Sequence, residues 1–263
     1  MENLDGINTK DYYSLGIKEI DDITGGLRRG SNILLIGPSM TGKEAISNHL
    51  IHDNTVKNDN AVMVVTANEP GISILDRFKR LEPKLLLSRV GLVDCISTRY
   101  GGDLVAENEN IKFVNSPEDL TAIGIKISQY FEDFFIMKKI PKIQLHVVSL
   151  STLLMYSNIQ TVFRFLHVLT GRIKMADAIG IYVIDSEMHD PQVITAIKLL
   201  CDCMIEVKSE NDRNFIRTVG ILSEPTSWLE YQVHGDKLMI IKEGITIDNK
   251  NMQKHLISPL VKA

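Results

Sequence analysis

Cysteine is scarce in this 263-residue chain, where Cys95, Cys201 and Cys203 are the whole supply. Three thiols so unevenly spaced cannot form a disulfide framework. Cys201-Asp202-Cys203 has no second C-x-C and no histidine pair to complete a metal site, so all three read as buried, reduced thiols. His146, His167 and His189 likewise show no ligand spacing. Tryptophan occurs once, at position 228; without an aromatic neighbour it reads as a packing anchor before a base-stacking platform. Positive charge is in deficit, with 29 Lys and Arg against 33 Asp and Glu and a net charge of −4. That balance gives no general drive toward nucleic acid, and any DNA binding would need a local basic patch. No apolar run approaches the ~20 residues that cross a bilayer. The opening Met1-Glu2-Asn3-Leu4-Asp5 has no signal-peptide character, so a cytoplasmic protein without a membrane partner is expected. Internal repeats and low-complexity tracts are also missing.

What is present is a large apolar fraction, 44% against 24% charged, enough to bury the core of one α/β domain with modest extensions. Within it, Gly37-Pro38-Ser39-Met40-Thr41-Gly42-Lys43-Glu44 follows the phosphate-binding spacing G-x-x-x-x-G-K at every place except the last, where a hydroxyl residue has become Glu. Asn32 to Ile36 before it reads as a buried parallel strand, and Ala45, Ile46 and Leu50 after it recur at helical spacing. Between strand and helix, backbone N–H groups and the positive helix end can cradle phosphate oxygens. Gly37 and Gly42 allow the tight path, and Lys43 reaches the terminal phosphates. An empty glycine-rich turn is the alternative. Glu44 is the awkward residue, since a carboxylate roughly 5 Å from a phosphate charge costs about 3 kcal/mol at an effective dielectric near 20. It must point to solvent, pair with a cation, or itself hold magnesium.

The rest of the chain alternates apolar strands with amphipathic helices. Strands are expected at Ala61–Thr66, Val90–Cys95, Leu145–Val148, Ile181–Ile184 and Met204–Val207. Helices are expected from Ile74 to Leu87 with a proline interruption, from an N-cap at Ser116 through Phe134, across Ile159 to Ile173, and over Val193–Cys201. Thr98 to Asn110 reads as an exposed loop. Such strand–helix–strand repetition implies a mostly parallel central sheet flanked by helices. Phe215–Leu222, Trp228–Val233 and Lys237–Ile241 are short strands joined by turn residues, predicting C-terminal antiparallel edge strands. Residues 1–14 form an N-terminal extension, 15–243 the nucleotide-binding domain, and 244–263 a polar tail.

Leu15-Gly16-Ile17, then Ile20-Asp21-Asp22-Ile23-Thr24-Gly25-Gly26-Leu27-Arg28-Arg29-Gly30, then the loop at Gly37, resembles the opening of the RecA/KaiC superfamily of ATPases. Ser149 to Tyr156 with Gln160 to His167 resembles more closely the small single-domain KaiC-like proteins of archaea. The similarity runs from about Leu15 to Ile241 and implies a RecA-like P-loop fold. It also implies a bound ATP or ADP, with magnesium an open question, and assembly into a homo-oligomer that acts on a protein partner.

The departures concern the metal. Members of that superfamily end the fourth strand in an Asp that helps hold magnesium, where this chain has Val148. With the loop hydroxyl also gone, the resemblance implies weak, altered or absent hydrolysis. Asp185, closing Ile181-Tyr182-Val183-Ile184, could approach the phosphates from the adjacent strand and hold a metal in compensation; otherwise it is a turn former or helix cap. Glu69, in Thr66-Ala67-Asn68-Glu69-Pro70, matches one acidic residue that KaiC-like enzymes use to orient the attacking water, while Asn68 replaces the other. Its alternative is a Glu that favours the helix dipole. Arg217 lies where oligomeric members present a cation to the neighbouring subunit; otherwise it is a solvated strand Arg. Three readings stand: a nucleotide-dependent adaptor with little turnover, a slow ATPase with an unconventional magnesium site, and a DNA-associated recombination accessory.

Overall fold

A computed structural model describes residues 12–58, 60–81, 87–100, 109–234 and 237–241. The expected polar tail, most of the N-terminal extension and the centre of the Thr98–Asn110 loop lie outside the described residues. Strands are β1 Tyr12–Tyr13, β2 Leu27–Arg28, β3 Asn32–Gly37, β4 Ala61–Thr66, β5 Val90–Asp94, β6 Ile111–Phe113, β7 Ile143–Val147, β8 Ile179–Asp185, β9 Cys203–Glu210, β10 Arg213–Val219, β11 Leu229–His234 and β12 Lys237–Ile240. Helices are α1 Lys18–Thr24, α2 Lys43–His52, α3 Gly71–Leu81, α4 Leu120–Phe131, α5 Leu150–Tyr156, α6 Ile159–Met175 and α7 Pro191–Lys198.

Ten strands form one sheet in the order β12-β11-β10-β9-β3-β8-β7-β4-β5-β6. From β9 to β6 every pairing is parallel, and from β9 to β12 every pairing is antiparallel. The phosphate-loop strand β3 therefore lies centrally, with β8 and β9 on either side, and all six of its residues are buried. Strands covered on both faces lose the polar alternation of half-exposed ones, which is why β3 and β4 read as continuous apolar runs. On one face Leu34, Ile36, Met63, Val65 and Ile184 pack under α4, α5 and α6. On the other, Ile33, Leu35, Ile181 and Ile205 pack with Ile46 and Leu50 of α2, and that same core continues to Ile216, Tyr231 and Leu238 of the antiparallel strands.

Local punctuation differs from expectation in several places. The N-cap of α4 is Asp119, whose carboxylate accepts from Ala122 N at 2.8 Å, while Ser116 Oγ accepts from Glu118 N one turn earlier. Pro117 takes the second position of a turn closed by Asp119 N donating to the Ser116 carbonyl at 3.0 Å, so the helix starts only after it. The helix after Pro70 begins at Gly71, three residues before the expected Ile74, because the buried Asp94 carboxylate at the end of β5 accepts from Gly71 N at 2.6 Å. Asp94 also accepts from the Ile96 and Ser97 amides. This one carboxylate thus joins the end of β5 to the start of α3, a charge-assisted arrangement stronger than neutral hydrogen bonds.

Candidate functional site

The phosphate loop leaves β3 at Gly37, where the neighbouring strand β9 comes so close that an added Cβ would lie 2.2 Å from Val207 Cγ2. Met40 and Gly42 adopt positive φ, +63° and +79°, and α2 starts at Lys43. The Gly42 requirement is double: its backbone is left-handed, and a Cβ there would meet Val233 Cγ2 at 2.8 Å. Tyr231 of β11 donates its hydroxyl to the Thr41 carbonyl, and burial pushes that phenol up to about 12. The antiparallel edge thus folds back against the loop, a contact with no signature in the spacing of residues 37–44.

Lys43 is 6% exposed. Its Nζ lies 2.8 Å from Asp185 Oδ1 and 3.1 Å from the Gly37 carbonyl, and also donates to the Pro38 carbonyl. Parallel pairing of β3 with β8 sets Gly37 opposite Asp185 and so produces this ion pair. Ser39 Oγ donates to the same carboxylate oxygen at 3.3 Å, and the Asp185 amide donates to Ser151 Oγ at 2.9 Å. Asp185, the sequence candidate for a metal ligand, thus meets the loop as the counter-ion of Lys43. Directly behind Gly37, a cavity of about 430 Å³ is bordered by Ser186, His189, Glu206 and Trp228. The His189 imidazole is held below its usual range by burial, which the nearby Asp185 and Asp190 oppose.

On the other side of the loop, Glu44, Asn48, Asn68, Glu69, Arg77 and Val148 border a small cavity of about 20 Å³. Arg77 NH1 donates to both Glu69 oxygens at 2.9 Å, in an ion pair only a fifth to a third exposed. Asn68 Oδ1 accepts from Thr152. Glu69, the candidate to orient water, is therefore clamped by a guanidinium from the second turn of α3. Arg77 has no motif to announce it, but a helical side chain leans toward the N-terminus of its own helix, so an Arg in the second turn reaches back to the strand tip.

Magnesium has a poor fit here. It demands octahedral oxygens at about 2.0–2.1 Å and keeps several waters, whereas a cavity of about 20 Å³ holds roughly one water. Ile74, Phe78 and Val148 put hydrocarbon on its walls. Glu44 is exposed and Asp185 is engaged by Lys43. Among the described residues, no three His, Cys, Asp or Glu side chains gather as a metal group.

Arg217 lies on β10 opposite Glu206 of β9, beside the cavity behind Gly37 that Glu206 and Trp228 border. Its Nε and NH2 donate to Glu206 Oε2 at 2.8 and 2.7 Å, and its guanidinium lies 4.3 Å from the Trp228 ring centroid. The offered cation is thus held within its own chain, and Trp228 anchors the edge strands by cation–π contact. Beneath α2, Ser47 Oγ and Gln144 Oε1 flank the buried His146 ring at 2.8 and 2.9 Å.

Solved structures share this architecture. A KaiC-like protein, PH0186, from Pyrococcus horikoshii OT3 superposes with a TM-score of 0.60 at 11% identity, covering 87% of this chain and 98% of its own. An uncharacterized protein, PH0321, from Pyrococcus horikoshii, solved in complex with an unknown peptide, gives 0.66 at 16% identity, covering 88% and 99%. The fold is accordingly RecA-like and of the KaiC-like kind. No curated protein matches the sequence. Residues 30–207 match a family of unknown function, DUF7504. Among the described residues, no helix is long and apolar enough to cross a membrane.

Proposed function

The chain belongs to the DUF7504 family, and from the loop outward we propose that it binds ATP or ADP through Gly37–Lys43, with hydrolysis slow or lost. One observation carries this reading: a lysine almost wholly buried at the start of α2 is aimed into its own glycine loop and paired, among the described residues, with the Asp185 carboxylate. A phosphate group arriving at the loop replaces Asp185 as the partner of Lys43, and the helix start adds its partial positive charge. The exchange frees Asp185, and through it the turn to α7, so the bound state would bias assembly or a partner surface. Homo-oligomer formation belongs to the same proposal.

Turnover has less support, because the two oxygens of Glu69 are already engaged by Arg77 and the magnesium contacts are replaced. A DNA-associated role would have to overcome a net charge of −4.

Calorimetric titration with ADP and ATP, run alongside Lys43→Ala and a long phosphate-release assay, tests the reading. The expected result is binding that falls at least about tenfold in Lys43→Ala, equivalent to ~1.4 kcal/mol, with release near background. Equal affinity in the variant would remove the loop as the binding site.

A further inference from the structure

The poor fit for magnesium has a positive counterpart in the protein's own cation. We infer that the Arg77 guanidinium replaces the divalent cation, so that the loop takes a nucleoside diphosphate without magnesium; this rests on the nucleotide reading above. Phosphate loops of this class hold magnesium between the residue after the lysine and a carboxylate at a strand end. Here those two places are Glu44 and Val148, and both border the cavity that Arg77 also lines. Glu69 fixes the guanidinium with two contacts from one nitrogen, and Asp94 fixes the start of the helix that carries it. The cation is therefore built into the fold at a set height above the β4 tip.

Charge and space both favour the shorter phosphate chain. Among the described residues at the loop and the cavity beside it, Lys43 pairs with Asp185 and Arg77 with Glu69, while Glu44 adds a further carboxylate, so these cations are in the minority before any ligand arrives. Every further phosphate without a metal adds repulsion against Glu44 and Glu69. The room beside Glu69, about 20 Å³, is that of one water rather than a phosphoryl group with its metal. A guanidinium meets phosphate oxygens through a planar fork and stays charged at any working pH.

The test is calorimetric binding of ADP and ATP in excess EDTA and in millimolar magnesium, on the full chain and on Arg77→Gln, Arg77→Lys and Glu69→Gln, with circular dichroism to establish folding. Manganese(II) EPR in the presence of ADP reports separately whether the protein holds a metal. For the wild type, ADP affinity should differ by less than about threefold between the two conditions and exceed that of ATP, with no manganese held beyond that carried by the nucleotide. Arg77→Gln should weaken ADP in EDTA by about tenfold (~1.4 kcal/mol), and magnesium should restore part of the loss. Arg77→Lys should fall between, and Glu69→Gln should keep the metal independence. Wild-type binding that needs magnesium by tenfold or more overturns the inference and leaves the nucleotide reading standing. Binding of neither nucleotide under either condition overturns both. Should Arg77→Gln fail to fold, metal dependence in the wild type and in Glu69→Gln still decides.

Discussion

His146 shows how a single side chain can set the acid limit of the fold. It is wholly buried, and burial holds its imidazole down from 6.5 to about 3. With Gln144 Oε1 accepting from Nε2 and Ser47 Oγ donating to Nδ1, the neutral ring satisfies both nitrogens. Unfolding lets the ring take a proton at any pH below its ordinary value. The stability it lends is thus complete above about 6.5 and lost as pH falls, by ~1.4 kcal/mol per unit, until the folded ring also protonates. Between pH 7 and pH 5 the loss should be about 2 kcal/mol. Urea unfolding at both pH values measures it, and a non-titrating His146→Gln should flatten the slope whatever its own cost; an unchanged slope would show that other groups govern the acid limit. The sequence placed His146 in a strand among apolar neighbours, but its partners lie on α2 and two residues earlier on β7, so no local pattern contains the network. Lys43 was legible because loop and lysine are contiguous. Arg77 was not, because its relation to Glu69 arises only once Asp94 has set where α3 begins.

At the scale of elements, the antiparallel edge does more than close the sheet. β11 sets Tyr231 and Val233 against the phosphate loop, so the geometry of residues 41 and 42 depends on a strand nearly two hundred residues away. Removing the hydroxyl in Tyr231→Phe leaves the Thr41 carbonyl without that donor, a loss of about 1–3 kcal/mol when the site is buried. The same variant should weaken ADP binding by roughly threefold to tenfold, since a loosened loop must be ordered by its ligand. Denaturant unfolding and calorimetry read the two effects separately; a stability loss with unchanged affinity would show that the loop keeps its shape unaided. Strand order was foreseeable in outline from the alternation of apolar runs and helices. The three-residue β6 and the seven-residue α5 escaped because each is too short for periodicity to separate from loop. Ser151 of α5 accepts from Asp185 N at the end of β8, another contact between segments far apart in sequence.

For the molecule as a whole, the question is whether parallel core and antiparallel edge unfold together. One apolar cluster runs from Ile33 and Leu35 in β3 through Ile205 and Val207 to Ile216, Tyr231 and Leu238, and β9 belongs to both parts of the sheet, paired parallel to β3 and antiparallel to β10. The sequence marks a change of character from Phe215 onward, where turn residues divide the short strands read as an antiparallel edge. Shared burial ties that edge to the core: Ile216 is fully enclosed by residues from both parts. Ile216→Ala should therefore cost about 2–5 kcal/mol and lower the whole transition rather than melt the edge alone. Thermal unfolding followed by Trp228 fluorescence, which reports on the edge, and by far-ultraviolet circular dichroism, dominated by the helices, should stay superimposable in wild type and variant. An edge that melts first in the variant would make β10–β12 an independent unit. The loop bracing by Tyr231 would then be a contact between units, able to open while the parallel core stands.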